Sequence, residues 1–329
     1  MSKFVVLDSH ISARYLFDIE KSILESNGIE CVLAQCRTEA EVIEAARDAD
    51  GIGVIFSDIN RNVISQLQNC KMMVRYGIGY DNIDVSAATE RGIIVCNLPD
   101  YCQPDVATTA MALLLDLVRK VTLLDRHVRS GKWDLNYGYP VNRLSSLTLG
   151  LVGFGSIART FVKFLYGFSM NIIAFDPYAD ESLFTALNVR KVSLDELFAQ
   201  ADVISIHTPL TSETRHLVNR DSIALMKDGV YIINTARGPI IEQDALVEAL
   251  KSGKVKAAAL DVVEFEPILD KNHVLYECEN LIVNPHIAFN SVEAAKEQHE
   301  KVAYSAIDVL KKNIMPYNAV NKKQLQSKE

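Results

Sequence analysis

Long apolar runs are missing from this 329-residue chain, and with them any segment able to span a bilayer as a helix. The most apolar stretch, residues 107–124, is interrupted by Asp116, Arg119 and Lys120. Basic residues are in the minority, 34 Lys and Arg against 42 Asp and Glu, and a formal net charge of -8 argues against a nucleic-acid surface. Cysteine is sparse: six thiols lie at 31, 36, 70, 96, 102 and 278 with no Cys-x-x-Cys pair. The seven histidines form no His-x-x-x-His or Cys/His cluster, so no metal site is expected. Met1-Ser2-Lys3 leads straight into a strand-like run at 4–7, too short for a signal peptide, and the thiols are expected to be reduced in the cytoplasm. Trp133 is the only tryptophan and is expected to pack a loop.

What is present is ordinary in bulk and informative in pattern. A composition of 49% apolar and 23% charged residues suits a globular chain with a sizeable core, and the length suggests about two domains. Strand-like runs at 4–7, 31–34, 52–56, 71–75 and 93–96 alternate with helical stretches at 15–26, 39–47 and 85–91. The second of these helices opens with Thr38 and Glu41 at capping-box spacing. Such alternation predicts a parallel sheet with helices on both faces. Residues 107–124 read as one helix leading into a second domain and offering an oligomer surface. Residues 292–312 read as an amphipathic helix, and the polar tail after Asn313 is expected to be loosely ordered.

The second half carries a glycine turn in a full strand–turn–helix–strand context. An apolar run at 147–152 is followed by Gly153-Phe154-Gly155-Ser156-Ile157-Ala158, an amphipathic stretch to Phe168, and a second apolar run at 171–175 ending in Asp176. Gly153 permits the tight turn, Gly155 lets backbone approach a pyrophosphate, and the helix opening near Ile157 offers N–H groups to phosphates. Asp176, 21 residues past Gly155, stands where a carboxylate takes the ribose hydroxyls of a dinucleotide. Ala158 replaces the third glycine. The context predicts NAD as cofactor.

Three further segments follow strand-like runs at 230–234, 257–260 and 281–283: Asn234-Thr235-Ala236-Arg237-Gly238, Asp261-Val262-Val263-Glu264-Phe265-Glu266-Pro267 and Asn284-Pro285-His286-Ile287-Ala288. In a doubly wound sheet, groups at the carboxyl ends of strands converge on one crevice. An arginine grips a carboxylate through a two-point fork, a histidine moves a proton, and an acid holds the imidazole.

Together with Tyr76-Gly77-Ile78-Gly79-Tyr80-Asp81-Asn82-Ile83-Asp84 and His207-Thr208-Pro209-Leu210-Thr211, these segments make nearly the whole chain resemble the D-isomer-specific 2-hydroxyacid dehydrogenases. Residues 95–102 and 285–291 look most like the branch of phosphoglycerate dehydrogenase-like and C-terminal-binding-protein-like members. The resemblance implies an α/β fold of two doubly wound parallel-sheet domains with a cleft between them. The NAD-binding Rossmann domain would span 102–287, and a smaller, flavodoxin-like substrate domain would be assembled from 1–101 and 288–329. It implies hydride transfer between NAD(H) and a small (R)-2-hydroxy or 2-keto acid, without nucleic-acid or membrane partners, in a homodimer.

By the same resemblance, Arg237 holds the substrate carboxylate, His286 is the acid–base group, and Glu266 is its partner, with Glu264 the competitor for that role. Gly153, Gly155, Ser156, Ile157 and Asp176 hold the cofactor. His207, Thr208 and Pro209 pass beneath the nicotinamide-side ribose, and Thr235, Ala236, Arg237, Asp261 and His286 lie beside it. Ile78 and Gly79 would help Arg237 grip the carboxylate, while Arg75 either meets a distal anion on the substrate or pairs with an acid of the protein. Tyr80, Tyr101 and Asn97 are further pocket candidates. Thr108 and Asn290 depart from the family pattern, and no added regulatory domain is expected. A non-catalytic NAD(H)-sensing scaffold, as some C-terminal-binding-protein relatives are, is the alternative.

Overall fold

The computed structural model describes residues 1–10 and 14–327. The chain divides into two compact units, one made of Met1–Tyr101 with Ser291–Glu329 and the other of Cys102–Asn290.

The first unit contains strands β1 (Ser2–Val6), β2 (Ile29–Leu33), β3 (Gly51–Val54), β4 (Met72–Arg75) and β5 (Ile94–Cys96), all parallel in the order β2-β1-β3-β4-β5. Central strands of a parallel sheet are buried on both faces and therefore read as continuous apolar runs. β3 and the first three residues of β4 are buried accordingly. Thr38 and Glu41 form the capping box at the start of the helix Glu39–Ala46. The helix Arg61–Gln66 escapes the sequence pattern because six residues with one apolar pair, Val63 and Ile64, show no period; Asn60 caps it by accepting from Val63 N.

The tail after Asn313 is more ordered than expected. Val320 N donates to Val95 O at 2.8 Å, and Asn321 is fully buried. The Asn321 side chain accepts from Val95 N at 3.0 Å and donates to Thr89 Oγ1 and Ile93 O at 2.9 Å. These bonds satisfy groups at β5, which has one strand neighbour only, so the polar tail is an edge cover.

The second unit contains β6 (Thr148–Val152), β7 (Asn171–Phe175), β8 (Arg190–Lys191), β9 (Val203–Ile206), β10 (Val230–Asn234), β11 (Val255–Leu260) and β12 (Leu281–Val283). Their order is β12-β11-β10-β9-β6-β7-β8, again all parallel. The strand order reverses between β6 and β9, the switch point at which such sheets open a ligand crevice. Helices Gln103–Arg119 and Ser156–Leu165 pack on one face with Leu114, Phe154, Phe161 and Phe184 buried. Fully buried Ala158 holds the second helix close to the sheet.

The single helix expected over 107–124 breaks at Lys120, which takes a left-handed φ of 58°. Asp116 Oδ1 accepts from Thr122 N at 2.7 Å and so supports a separate helix, Val121–Arg129, that buries none of its residues. Trp133 does not pack a loop: it is 83% exposed, with Leu135 and Tyr139 equally open. Among the described residues no helix is long and apolar enough to cross a membrane.

Candidate active site

Six adjacent strands of the second unit end in register. Phe175 pairs with Val152, Val152 with Ile206, Ile206 with Asn234, Asn234 with Leu260, and Leu260 with Val283. The next residue on each strand, read across the sheet, is Asp176, Gly153, His207, Thr235, Asp261 and Asn284. At about 4.8 Å per strand this row runs for roughly 24 Å along the carboxyl edge. The register therefore assembles residues more than a hundred positions apart in sequence into one line.

The glycine turn is built for a close approach. Gly153 has φ +91° and backs directly onto the next loop, where an added Cβ would stand 2.8 Å from the His207 carbonyl. Gly155 has nothing within 4 Å of such a position, so the turn opens outward there. The helix begins at Ser156, one residue before Ile157, with Gly155 as an N-cap that makes no side-chain cap bond. Its first N–H groups have no intrahelical acceptor. Asp176 is oriented by backbone: Oδ2 accepts from Phe154 N at 2.8 Å, and Oδ1 accepts from Tyr178 N and Ala179 N at 2.9 and 3.0 Å. The Thr235 hydroxyl is buried with no hydrogen-bond partner among the described residues. An open glycine, unpaired helix N–H groups, a fixed carboxylate and an orphaned hydroxyl along one edge fit a bound dinucleotide.

His207 bonds the buried Ser205 hydroxyl through Nε2 at 2.8 Å and tilts against Phe161. Burial pushes its imidazole down to about 4, so at neutral pH the ring is uncharged. The neighbouring Pro209 carbonyl accepts from Thr214 Oγ1 at 2.6 Å, which holds the Thr208–Pro209 corner.

Arg237 sits on a loop held by Asn234, a residue the sequence pattern did not single out. The buried Asn234 amide accepts from Ala236 N at 3.0 Å and donates to Arg237 O at 2.9 Å. Arg237 Nη1 donates to Ala236 O at 2.9 Å. Gly238 is required for a different reason: a Cβ there would overlap the Val263 carbonyl. The backbone of the arginine loop thus lies directly on the backbone of the loop that carries the acids.

On that second loop the two glutamates separate. Glu266 Oε2 meets His286 Nδ1 at 2.7 Å, and its Oε1 accepts from Val263 N at 2.8 Å. Glu264 faces away, bonding His216 Nε2 at 2.6 Å and accepting from Gln243 N at 3.0 Å. Glu264 and His216 lie 48 residues apart, and no local pattern signals their pairing.

His286 itself has φ +54°, an uncommon conformation for a side-chain-bearing residue. Asp261, 1% exposed, holds that turn: its carbonyl accepts from His286 N at 2.8 Å, and its carboxylate accepts from Ile287 N and Ala288 N at 3.0 Å each. Asp261, expected beside the cofactor, is thus also a backbone support for the histidine.

The remaining predicted residues lie in the first unit. Arg75 Nη1 donates to Tyr76 O at 2.9 Å, and its guanidinium fills the space that a Cβ on Gly77 would need. The Ile78 carbonyl accepts from Asn97 Nδ2 at 2.7 Å, and Gly79 follows half-exposed. Tyr101 is buried, whereas Tyr80 is exposed. In the second unit, Thr108 turns its hydroxyl back onto Pro104 O at 2.7 Å, and Asn290 N donates to Ile287 O at 3.0 Å.

Comparison with known proteins assigns the class. Residues 111–288 match the family model described as the NAD binding domain of D-isomer specific 2-hydroxyacid dehydrogenases. The chain is 40% identical over 301 residues to D-3-phosphoglycerate dehydrogenase of Methanocaldococcus jannaschii, covering 91% of this chain and 56% of that protein. It is 38% identical over 331 residues to hydroxypyruvate reductase of Blautia hydrogenotrophica, covering 97% and 100%. Among solved structures, D-lactate dehydrogenase of Aquifex aeolicus complexed with NAD and lactic acid superposes with a TM-score of 0.85 at 26% identity, covering 99% and 98%. The chain belongs to the D-isomer-specific 2-hydroxyacid dehydrogenase family. It is an NAD(H)-linked oxidoreductase of hydroxy acids, and the non-catalytic scaffold is not favoured.

Proposed function

We propose that this enzyme reduces a small 2-keto acid of the size of glyoxylate or hydroxypyruvate to the (R)-2-hydroxy acid and catalyses the reverse oxidation. The Glu266–His286 pair carries this reading. With Nδ1 of His286 turned to the carboxylate at 2.7 Å, Nε2 is the nitrogen left to work on substrate. It gives a proton to the carbonyl oxygen in reduction and takes one from the hydroxyl in oxidation. Glu266 fixes the tautomer and ring orientation and faces the positive charge that oxidation leaves on the ring.

Arg237 binds the substrate carboxylate through its fork and draws electron density from the adjacent carbonyl. Backbone N–H groups at 78–79 assist it. Bound NAD(H) supplies or accepts the hydride; Gly153, Gly155, Ser156, Ile157 and Asp176 hold its adenosine and phosphate parts. His207–Pro209, Thr235, Ala236 and Asp261 line its other half. Arg75 braces the 76–79 loop instead of meeting a distal anion, a role supported by its bond to Tyr76 O. Arg75→Met is accordingly expected to weaken neutral and anionic keto acids equally.

The working form is a cytoplasmic homodimer. Trp133, Leu135, Tyr139 and the helix Val121–Arg129, which buries no residue of its own, support a second copy as the cover. Six free thiols suit a reducing compartment.

The test is NADH consumption against glyoxylate, hydroxypyruvate, phosphohydroxypyruvate and branched keto acids, with Arg237→Ala as control. Turnover of at least one small keto acid, lost in the control, is expected. No turnover across the panel, or equal turnover by Arg237→Ala, would overturn the reading.

A further inference from the structure

A group of ionisable side chains lies wholly buried in the first unit, away from the Arg237, Glu266 and His286 loops in sequence and unused by the mechanism. Glu20, on the helix Arg14–Ser26, and His299, on the helix Val292–Leu310, are both 0% exposed, and Tyr76 is 3% exposed. The Tyr76 hydroxyl donates to the Glu20 carboxylate, 2.6 and 2.7 Å from its two oxygens. His299 Nδ1 meets Glu20 Oε2 at 2.9 Å. Phe17 seals the group, with its ring edge-on to both Tyr76 and His299. The His299 Nε2 atom is buried without a partner among the described residues.

Burying a carboxylate this deeply is expensive, and isosteric apolar residues often serve stability as well or better. What the group does hold is one residue, from both ends. While the Tyr76 hydroxyl is tied to Glu20, the Tyr76 carbonyl accepts from Gln298 Nε2 at 3.2 Å and from Arg75 Nη1 at 2.9 Å. Gln298 and His299 are consecutive on one helix, Gln298 on the Tyr76 backbone and His299 edge-on to its ring at 5.5 Å, while Glu20 holds the hydroxyl from a second helix. Tyr76 is the first residue of the 76–79 loop. The next residue, Gly77, has φ +154°, a conformation that tolerates no drift toward ordinary side-chain-bearing backbone, and its carbonyl accepts from Leu98 N at 2.9 Å.

We infer that Glu20 is a positioning residue for substrate: through Tyr76, and with His299 and Gln298, it sets the backbone of 76–79 in the orientation that receives the substrate carboxylate. This rests on the proposed role of Ile78 and Gly79. The buried carboxylate is directional where an apolar core would not be, because Tyr76 and His299 each meet it at one fixed geometry.

Tyr76→Phe removes only the hydroxyl, and Gln298→Met removes only the donor to the Tyr76 carbonyl at nearly constant volume. For each, we would measure KM for the best keto acid, kcat, NADH affinity, the melting temperature, and the Kd of oxamate, a carboxylate-bearing keto acid mimic, on the NADH-loaded enzyme. The expected result is a rise of about tenfold in KM and in oxamate Kd, corresponding to the loss of one well-aligned hydrogen bond. NADH affinity should stay constant and kcat at saturation should stay within about twofold. Glu20→Gln should show the same split where it folds. A lowered melting temperature with unchanged KM and oxamate Kd in folded Tyr76→Phe and Gln298→Met would make the cluster purely structural and overturn the inference. Wild-type enzyme that neither reduces keto acids nor binds oxamate would instead overturn the functional reading beneath it.

Discussion

At the scale of single residues, the site depends on pairs that only the fold can make. Glu266 and Glu264 are two positions apart and chemically identical, yet one meets His286 and the other meets His216. Strand-like β geometry alone would send both to the same face; the intervening loop turns them to opposite partners. Glu266→Gln removes the charge facing the imidazole and allows the amide to donate to Nδ1, which would stabilise the wrong tautomer. We expect turnover to fall by about 10²-fold or more, the scale of losing a positioned acid–base arrangement, with NADH affinity unchanged. Normal turnover by this variant would separate Glu266 from the chemistry.

Asp176 gives a second prediction at this scale. Its two oxygens are aimed by the N–H groups of Phe154, Tyr178 and Ala179, and on the proposed reading its charge faces the adenosine ribose. A 2′-phosphate would meet that charge, and no Lys or Arg stands in Pro177-Tyr178-Ala179-Asp180 to offset it. NAD should be preferred over NADP by roughly 10–100-fold, the value of one or two charge-assisted hydrogen bonds. Asp176→Ala should narrow the ratio; equal kcat/KM with both cofactors in wild type would contradict the assignment.

His207 ties residue chemistry to stability. Its folded form resists protonation down to about 4, whereas an unfolded chain takes up the proton near 6.5. Between those values the unfolded state binds more protons, so stability present above pH 6.5 is lost as pH falls toward 4. Allowing for the partial exposure of the ring, the loss is on the order of 1–3 kcal/mol. His207→Asn should show a smaller drop in urea midpoint between pH 7 and 4.5 than wild type. An equal drop would remove His207 from the acid sensitivity of the fold.

At the scale of elements, much was legible and the reasons are physical. Continuous apolar runs ending in a turn or a charged residue marked the parallel strands, and β7, β10 and β12 have the bounds that pattern implies. The glycine turn was legible because Gly153 needs a positive φ and lies against the His207 backbone, requirements few other residues meet. Three features were hidden. The Lys120 break depends on Asp116 reaching the next helix, a contact that apolar periodicity does not report. The ordered tail depends on Asn321 finding groups more than two hundred residues away, so its polarity read as exposure. Gly238 matters through the Val263 backbone, a contact between loops from adjacent strands. Gly238→Ala should therefore destabilise the protein by about 1–3 kcal/mol through overpacking and reduce turnover as the Arg237 and Glu266 loops part. A variant with normal melting and normal turnover would show that the loops have room to give.

At the scale of the whole molecule, the two units share a chemistry-free logic: among the described residues every pair of neighbouring strands in both sheets is parallel, so the carboxyl ends of a sheet open on one edge. In the second unit that edge gathers residues from 153 to 284 into one row, with His286 two residues past its last member. The exposed Trp133, Leu135 and Tyr139 are the surface proposed to be covered by a second copy. Light scattering should give a mass near twice 36.6 kDa for wild type, and Trp133→Ser with Leu135→Asp should shift it toward one chain. A monomeric wild type would leave the apolar surface to another partner.

The central claim is that His286, held by Glu266 and Asp261, moves the proton while the rest of the edge binds cofactor and substrate. The direct measurement is the single-turnover rate of keto acid reduction by His286→Ala at saturating NADH, with NADH Kd measured by fluorescence. The expected rate is lower by about 10²–10⁴-fold, the usual value of a positioned general acid, with the NADH Kd unchanged. A single-turnover rate equal to wild type would contradict it.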